Sequence, residues 1–274
     1  MSQLYWRSIF ISDVHLGTKN CKADYLLNFL RSTSSQKLYL VGDIFDILAM
    51  KKSVHWNQAQ TDVLREVFKK AQQGTEVFYI PGNHDRTFRD FSGSEINNVK
   101  IRLNVIHENP DGKRYFVSHG DEFDRLLKHN GLLKVIGSCA YDVLLWLDHI
   151  NAKIRKRFNL QYWSLSSHIK SQVGNANQYI DKYRQAATNK ALHNGYEGYI
   201  CGHIHKSEIC NKAETLYCNT GDWVEHCTAL VEDENGVLQI LHWSDHAKIE
   251  VIHRDEEVVL ADLPLIVPEL FRAA

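Results

Sequence analysis

EVFYIPGNHD, residues 76–85, decides the fold. Val77-Phe78-Tyr79-Ile80 is a short apolar run of the kind a buried strand needs, and Pro81-Gly82 stops it. The turn that follows carries Asn83, His84 and Asp85, three polar side chains with little packing rationale. Two earlier segments have the same design. KLYLVGD (37–43) is an apolar run closed by Gly42-Asp43, and SIFISD (8–13) is one closed by Asp13-Val14-His15. Helical spacing fills the gaps between them. ADYLLNFLRS (23–32) repeats its apolar residues every three to four positions. In NQAQTDVLREVFKKAQQG (57–74), Val63, Leu64, Val67, Phe68 and Ala71 share a face that Gly74 closes. Strand–helix–strand–helix–strand is the pattern of an α/β sheet, whose ligands gather at the carboxyl ends of the strands.

The texture changes after residue 98. VKIRLNVIHEN and KRYFVSHGDEFD read as strands, and a long helical stretch, about 125–193, follows. Strand texture resumes at GYEGYICGHIH, ETLYCNTGDW, CTALVEDENGVLQILHW and KIEVIHR, with Asn235-Gly236 expected at the centre of a hairpin turn. This organisation places a core in 1–120 and 196–254, an insertion in 121–195, and a tail of unassigned role in 255–274.

The 274 residues are enough to bury a large core, and 44% apolar with 24% charged residues is ordinary for a globular chain. A formal net charge of −1 gives no field that would gather nucleic acid, so no nucleic-acid partner is expected. The six cysteines (Cys21, Cys139, Cys201, Cys210, Cys218 and Cys227) form no CxxC and suggest neither a disulfide framework nor a zinc ribbon. The N-terminus lacks a signal-peptide layout, and no segment reaches ~18 uninterrupted apolar residues. The expectation is a cytoplasmic protein, with peripheral contact at a membrane face.

Fifteen histidines are more than packing alone explains. Several close strands: His15, His84, His119 before Gly120, and His203 and His205 after Gly202. In extended backbone, i and i+2 point the same way, which aims Asp13 with His15, and His203 with His205, into one place. Carboxylate, imidazole and amide oxygen together favour borderline divalent metals, and two adjacent ions suit phosphoryl chemistry. Asp43, alone after its glycine, is the natural bridge. A single strand-end histidine is more often structural, and DxH or GD alone means little. The ordered set is what carries the signal.

That set, Asp13-x-His15, Gly42-Asp43, Gly82-Asn83-His84-Asp85, His119 and Gly202-His203-x-His205, resembles the calcineurin-like metallophosphoesterase superfamily over residues about 8–206. The resemblance implies a four-layered αββα sandwich, here with a helical cap insertion. It implies one metal on Asp13, His15, Asp43 and His205, and another on Asp43, Asn83, His119 and His203. It makes His84 the group that stabilises or protonates the phosphoryl centre, oriented by Asp85. A non-catalytic scaffold of the same fold is expected to lose one of these residues, and none is lost.

FISDVHLG, LVGDIFDI, the insertion after SHGDEFD, and NTGDWVEHCTALVE resemble more narrowly the UDP-2,3-diacylglucosamine diphosphatase group. That resemblance implies a lipid-linked nucleotide sugar as substrate, UMP and an acylated sugar phosphate as products, and a place in lipid A biosynthesis. It further implies work at the cytoplasmic face of the inner membrane with two divalent ions, commonly Mn2+, with Fe, Zn, Ni or Co as alternatives. The best-known branch has Asn-Arg-Asp where this chain has Asn83-His84-Asp85, which leaves open another lipid-linked or soluble nucleotide phosphodiester. In the insertion, an apolar helix followed by Lys153, Arg155, Lys156 and Arg157 suits either acyl chains beside anionic headgroups or the packed core of a helical cap. Lys170, Asn175 and Asn177 are candidates for phosphate or sugar, or for the polar face of a cap helix. Asp124 either contacts the sugar or caps the next helix.

Overall fold

The computed structural model describes residues 4–124, 174–212, 214–243, 248–252 and 258–262, with backbone alone for 174–177 and the last two stretches. The elements in chain order are β1 (Leu4–Ile11), α1 (Ala23–Ser32), β2 (Thr33–Val41), α2 (Ile47–Met50), α3 (Gln58–Gln72), β3 (Glu76–Ile80), β4 (Glu95–Ile96), β5 (Val99–Ile101), β6 (Val105–Glu108) and β7 (Arg114–Val117). After these come α4 (Gly174–His193), β8 (Gly198–Cys201), β9 (Glu208–Lys212), β10 (Thr215–Asn219), β11 (Thr228–Glu232), β12 (Leu238–His242), β13 (Lys248–Ile252) and β14 (Val258–Asp262). Short 3-10 turns at Arg86–Phe91 and Asp121–Phe123 complete the set.

Strand alternation builds the layers. In β1, Ile9 and Ile11 face a core made with Leu26, Phe29 and Leu30 of α1 and Val63 and Val67 of α3. Phe10 between them points the other way, into a second core with Tyr39, Val117, Ile200 and Leu230. A strand buried on both faces reads as a continuous apolar run, which is how 8–13 and 37–43 read in the sequence. A nine-stranded sheet, β14-β13-β12-β11-β1-β2-β3-β5-β4, thus faces a five-stranded one, β6-β7-β8-β10-β9. On the far side of the small sheet, Tyr183, Ala187 and Ala191 of α4 pack on Tyr199, Cys201 and Tyr217. The order helix, sheet, sheet, helix is the four-layered αββα sandwich.

Local chemistry sets the element ends. The Asn57 side chain accepts from Gln60 N (3.0 Å) to start α3, one residue inside the expected start. Helix α1 runs into β2 without a loop, and the Thr33 hydroxyl donates to Phe29 O (2.8 Å) at the junction. The β11–β12 turn differs from expectation by one position. Gly236 N donates to Asp233 O (3.1 Å), which centres the turn on Glu234-Asn235 and leaves Gly236 in the left-handed position that follows (φ 78°).

Helix α4, grouped with the insertion in the sequence, lies in the outer layer of the sandwich. Residues 258–262, within the unassigned tail, form the edge strand β14, antiparallel to β13. The basic cluster at 153–157 and Lys170 lie outside the described residues, as do all of 125–173. No helix among the described residues is long and apolar enough to cross a membrane.

Candidate metal centre

Strand register delivers the site. Parallel pairing sets Ile11 beside Leu40, and Val41 beside Ile80, so Asp13, Asp43 and Asn83 all emerge just past the same end of the large sheet. In the small sheet Val117 pairs with Ile200, which brings His119 and His203 out at the matching end. The first two loops run side by side: Asp13 N donates to Gly42 O (3.0 Å) and His15 N to Asp43 O (2.9 Å). Trp223 N reaches across to Asp13 O (3.0 Å) and ties the β10–β11 connection to the same loop.

The backbone here is strained. Nine non-glycine residues among those described have positive φ, and five of them are Asp13, His15, Asp43, His203 and His205. These pairs therefore converge through left-handed kinks, and the expected i, i+2 alternation of extended chain is not the cause. Gly42 is required by the same geometry. Its φ is 84°, and a Cβ there would lie 2.2 Å from His119 Nδ1.

The expected residues gather in groups. Asp13, His15 and His205 bring one donor atom each within 4.8 Å of one another, and Asp43, His119 and His203 do the same. Asn83 Oδ1 lies 3.2 Å from His119 Nε2, joining the second group. Asp43 Oδ2 lies 3.3 Å from His119 Nε2, while its Oδ1 accepts from His84 N (2.8 Å). Outer contacts fix the rings. His119 Nδ1 donates to Val41 O (2.9 Å), and His15 Nδ1 pairs with Asp46 Oδ2 (3.0 Å), so each turns Nε2 inward. His203 N and the Ser12 hydroxyl both donate to Asp13 Oδ2, at 2.9 and 2.5 Å.

Two buried atoms indicate that these residues suit a cation. Asp13 Oδ1 lies 3.2 Å from His205 Nε2 yet accepts no hydrogen bond, and His15 Nε2 has no hydrogen-bond partner. Donors of this type are those that borderline divalent ions prefer. Burial pushes the Asp43 carboxyl upward, but the His119 charge and contact outweigh it and hold it well below the usual range. Burial acts likewise on Asp13, and His205 overcomes it.

His84 is a third exposed, with its ring edge-on to His15 at 4.8 Å. Its Nδ1 pairs with Asp46 Oδ1 at 2.8 Å, which leaves Nε2 to face outward. This corrects the expectation that Asp85 orients it. Asp85 is fully buried and accepts from Gly82 N (2.6 Å), Ile44 N (2.9 Å), Phe45 N (3.3 Å) and the Tyr79 hydroxyl (2.6 Å). It folds the turn, and none of these bonds reaches the ring. Asp46 was missed, though it stands three positions after Asp43 in GDIFD. Burial disfavours the charged His84 ring, but the Asp46 contact and the Asp43 charge raise its pKa overall.

Asp124 Oδ1 lies 2.8 Å from His203 Nε2 and 3.0 Å from the Tyr179 hydroxyl, so it positions a histidine. Asn175 and Asn177 lie in the first turn of α4, where the backbone alone is described.

A family model described as calcineurin-like phosphoesterase matches residues 7–207. A UDP-2,3-diacylglucosamine hydrolase of Neisseria gonorrhoeae is 27% identical over 247 residues, covering 84% of this chain and 96% of that protein. The enzyme of the same name from Porphyromonas gingivalis is 24% identical, over 82% and 93%. Among solved structures, a single mutant of Vps29 from Entamoeba histolytica aligns with a TM-score of 0.44 at 12% identity, covering 93% of this chain and 97% of that one.

Proposed function

Because the chain belongs to the calcineurin-like phosphoesterase family, we propose that it is a two-metal hydrolase that cleaves UDP-2,3-diacylglucosamine to UMP and 2,3-diacylglucosamine 1-phosphate. The observation that carries this reading is the pair of adjoining donor groups, with the His84 ring set beside them on Asp46. The near full-length match to hydrolases of that name supports the substrate.

Asp13, His15, Asp43 and His205 would hold one ion, and Asp43, Asn83, His119 and His203 the other. Bound ions, manganese by resemblance, would neutralise phosphoryl oxygens and make a water acidic enough to attack near neutral pH. The chain's own residues do the rest. Asp46 fixes His15 and His84 with one carboxylate. Asp85 locks the turn that carries Asn83 and His84. As water bonds to the phosphorus of the UMP half, the bridging P–O bond breaks and its electrons pass to the sugar phosphate. A phosphate leaving group needs less protonation than an alkoxide. His84 therefore serves mainly to stabilise the phosphoryl group, standing where the best-known branch has arginine. With an acylated substrate, the reading places the enzyme at the cytoplasmic face of a membrane as a peripheral protein, with the insertion meeting the lipid.

The test is release of UMP from UDP-2,3-diacylglucosamine by the purified chain in Mn2+, with Asp43→Ala alongside. Turnover that disappears in the variant, together with loss of at least one bound metal, is the expected result. Failure on this substrate with retained hydrolysis of a generic phosphodiester would move the substrate elsewhere. A variant that stays fully metallated and active would sink the two-metal assignment.

A further inference from the structure

Beside the metal residues lies a cavity of about 400 Å³, within the size range of small-ligand sites. His119 and Pro81 form its inner wall, and Pro81 leads directly into Gly82-Asn83. Phe116 and Leu103 give it apolar sides.

Charge decides what it accepts. The cavity has two cationic side chains, each already matched by an anion of the same lining. Arg89 Nη2 lies 2.6 Å from Asp121 Oδ1, and Lys190 Nζ lies 2.7 Å from Glu122 Oε1. Arg89 also donates to Pro81 O, at 3.2 and 3.1 Å. These four charges sum to zero, so the cavity is unsuited to a second phosphate. The Asn104 amide, exposed in the β5–β6 connection, has one acceptor and two donors to offer and no side-chain partner among the described residues. Apolar walls, balanced charge and a free amide suit a flat, uncharged heterocycle with a hydrogen-bonding edge.

We propose that this cavity is the nucleoside subsite, which takes a pyrimidine base and its ribose, with Asn104 reading the base edge and Leu103 packing against the base. The assignment rests on the nucleotide-sugar reading above. It places the scissile phosphorus at the two donor groups, with the nucleoside reaching from there past His119 into the cavity. It also makes Asn104 and Leu103 specificity residues, set apart from the metal residues.

The full-length protein with metal removed is titrated with uridine and followed by ligand-observed NMR. Asn104→Trp and Leu103→Trp, both at exposed positions, fill the cavity without touching the core. Wild type is expected to bind uridine and both variants to bind it at least about tenfold more weakly. With metal restored, KM for the nucleotide sugar should rise by a similar factor in both. Uridine binding that is absent in wild type, or unchanged in both variants, overturns the proposal. The two readings fail separately. If wild type binds uridine as described yet releases no UMP from UDP-2,3-diacylglucosamine, the subsite stands and the lipid substrate falls. If wild type releases UMP and neither variant alters KM, the substrate stands and the subsite falls.

Discussion

Asp46 serves two imidazoles with one carboxylate, His15 at 3.0 Å and His84 at 2.8 Å, and also caps α2 by accepting from Ala49 N (2.8 Å). Asp46→Ala is expected to lower kcat about 10–100-fold, since both rings lose their orienting partner. Asp85→Ala acts differently. It strands three backbone N–H groups and the Tyr79 hydroxyl, so its main effect is on stability, about 3 kcal/mol or more. Chemical denaturation and steady-state rates on both variants separate the two roles. Equal catalytic loss at equal stability would return Asp85 to the active site. The seven residues proposed to hold metal were legible as a set because each stands just past an apolar run, several of them beside a glycine. Asp46 was not, because its function comes from a ring thirty-one residues upstream and another thirty-eight downstream, a meeting that only the β1–β2–β3 register creates.

At the level of elements, Glu122 fastens three pieces together. Its Oε1 receives the Ser118 and Tyr199 hydroxyls (2.9 and 2.6 Å) and Lys190 Nζ of α4 (2.7 Å). Burial would raise its pKa, but Lys190 and Tyr199 outweigh that and depress it from 4.5 to about 2. A depressed carboxylate contributes stability above its ordinary value and loses it as pH falls toward the folded one. The thermal midpoint should therefore drop between pH 4.5 and about 2, and Glu122→Gln should flatten that slope. An unaltered slope in the variant would remove Glu122 from the acid response. The docking of α4 was illegible for a simple reason. Its buried stripe is Tyr183, Ala187 and Ala191, two of them methyl-sized, and such a stripe gives little periodic signal. The helices α1 and α3, with large aliphatic faces, were read nearly to the residue, whereas β9 went unread and VKIRLNVIHEN divides into β5 and β6 of different sheets.

Across the whole molecule, the large sheet turns a ladder of stacked rings toward the small one, and one buried ionic group joins the two. Phe10 stacks on Tyr39 at 4.5 Å and Tyr39 on Phe78 at 5.0 Å. Glu232 of β11 is fully buried, 2.7 Å from Arg7 of β1 and 3.0 Å from His107 of β6, so it spans both sheets. Burial pushes its carboxyl upward, while the His107 ring and the Arg7 guanidinium hold it below the ordinary value. Glu232→Ala leaves both partners behind and should cost about 3–5 kcal/mol. Urea unfolding followed by tryptophan fluorescence would read this as an earlier single transition. A loss under about 1 kcal/mol would make the pair incidental to the sandwich. The α/β sheet was legible from apolar runs alternating with helical spacing, while the four layers were expected only from the family resemblance. This inter-sheet contact was not, because Arg7, His107 and Glu232 sit far apart in ordinary-looking strands.

Five site residues in left-handed backbone carry a further consequence. Each such kink costs roughly 1–3 kcal/mol, borne by the surrounding sheets. Heat resistance and catalysis thus pull on the same positions in opposite directions. Under selection for thermal endurance alone, glycine or asparagine would spread through these loops, and the fold would outlast its chemistry.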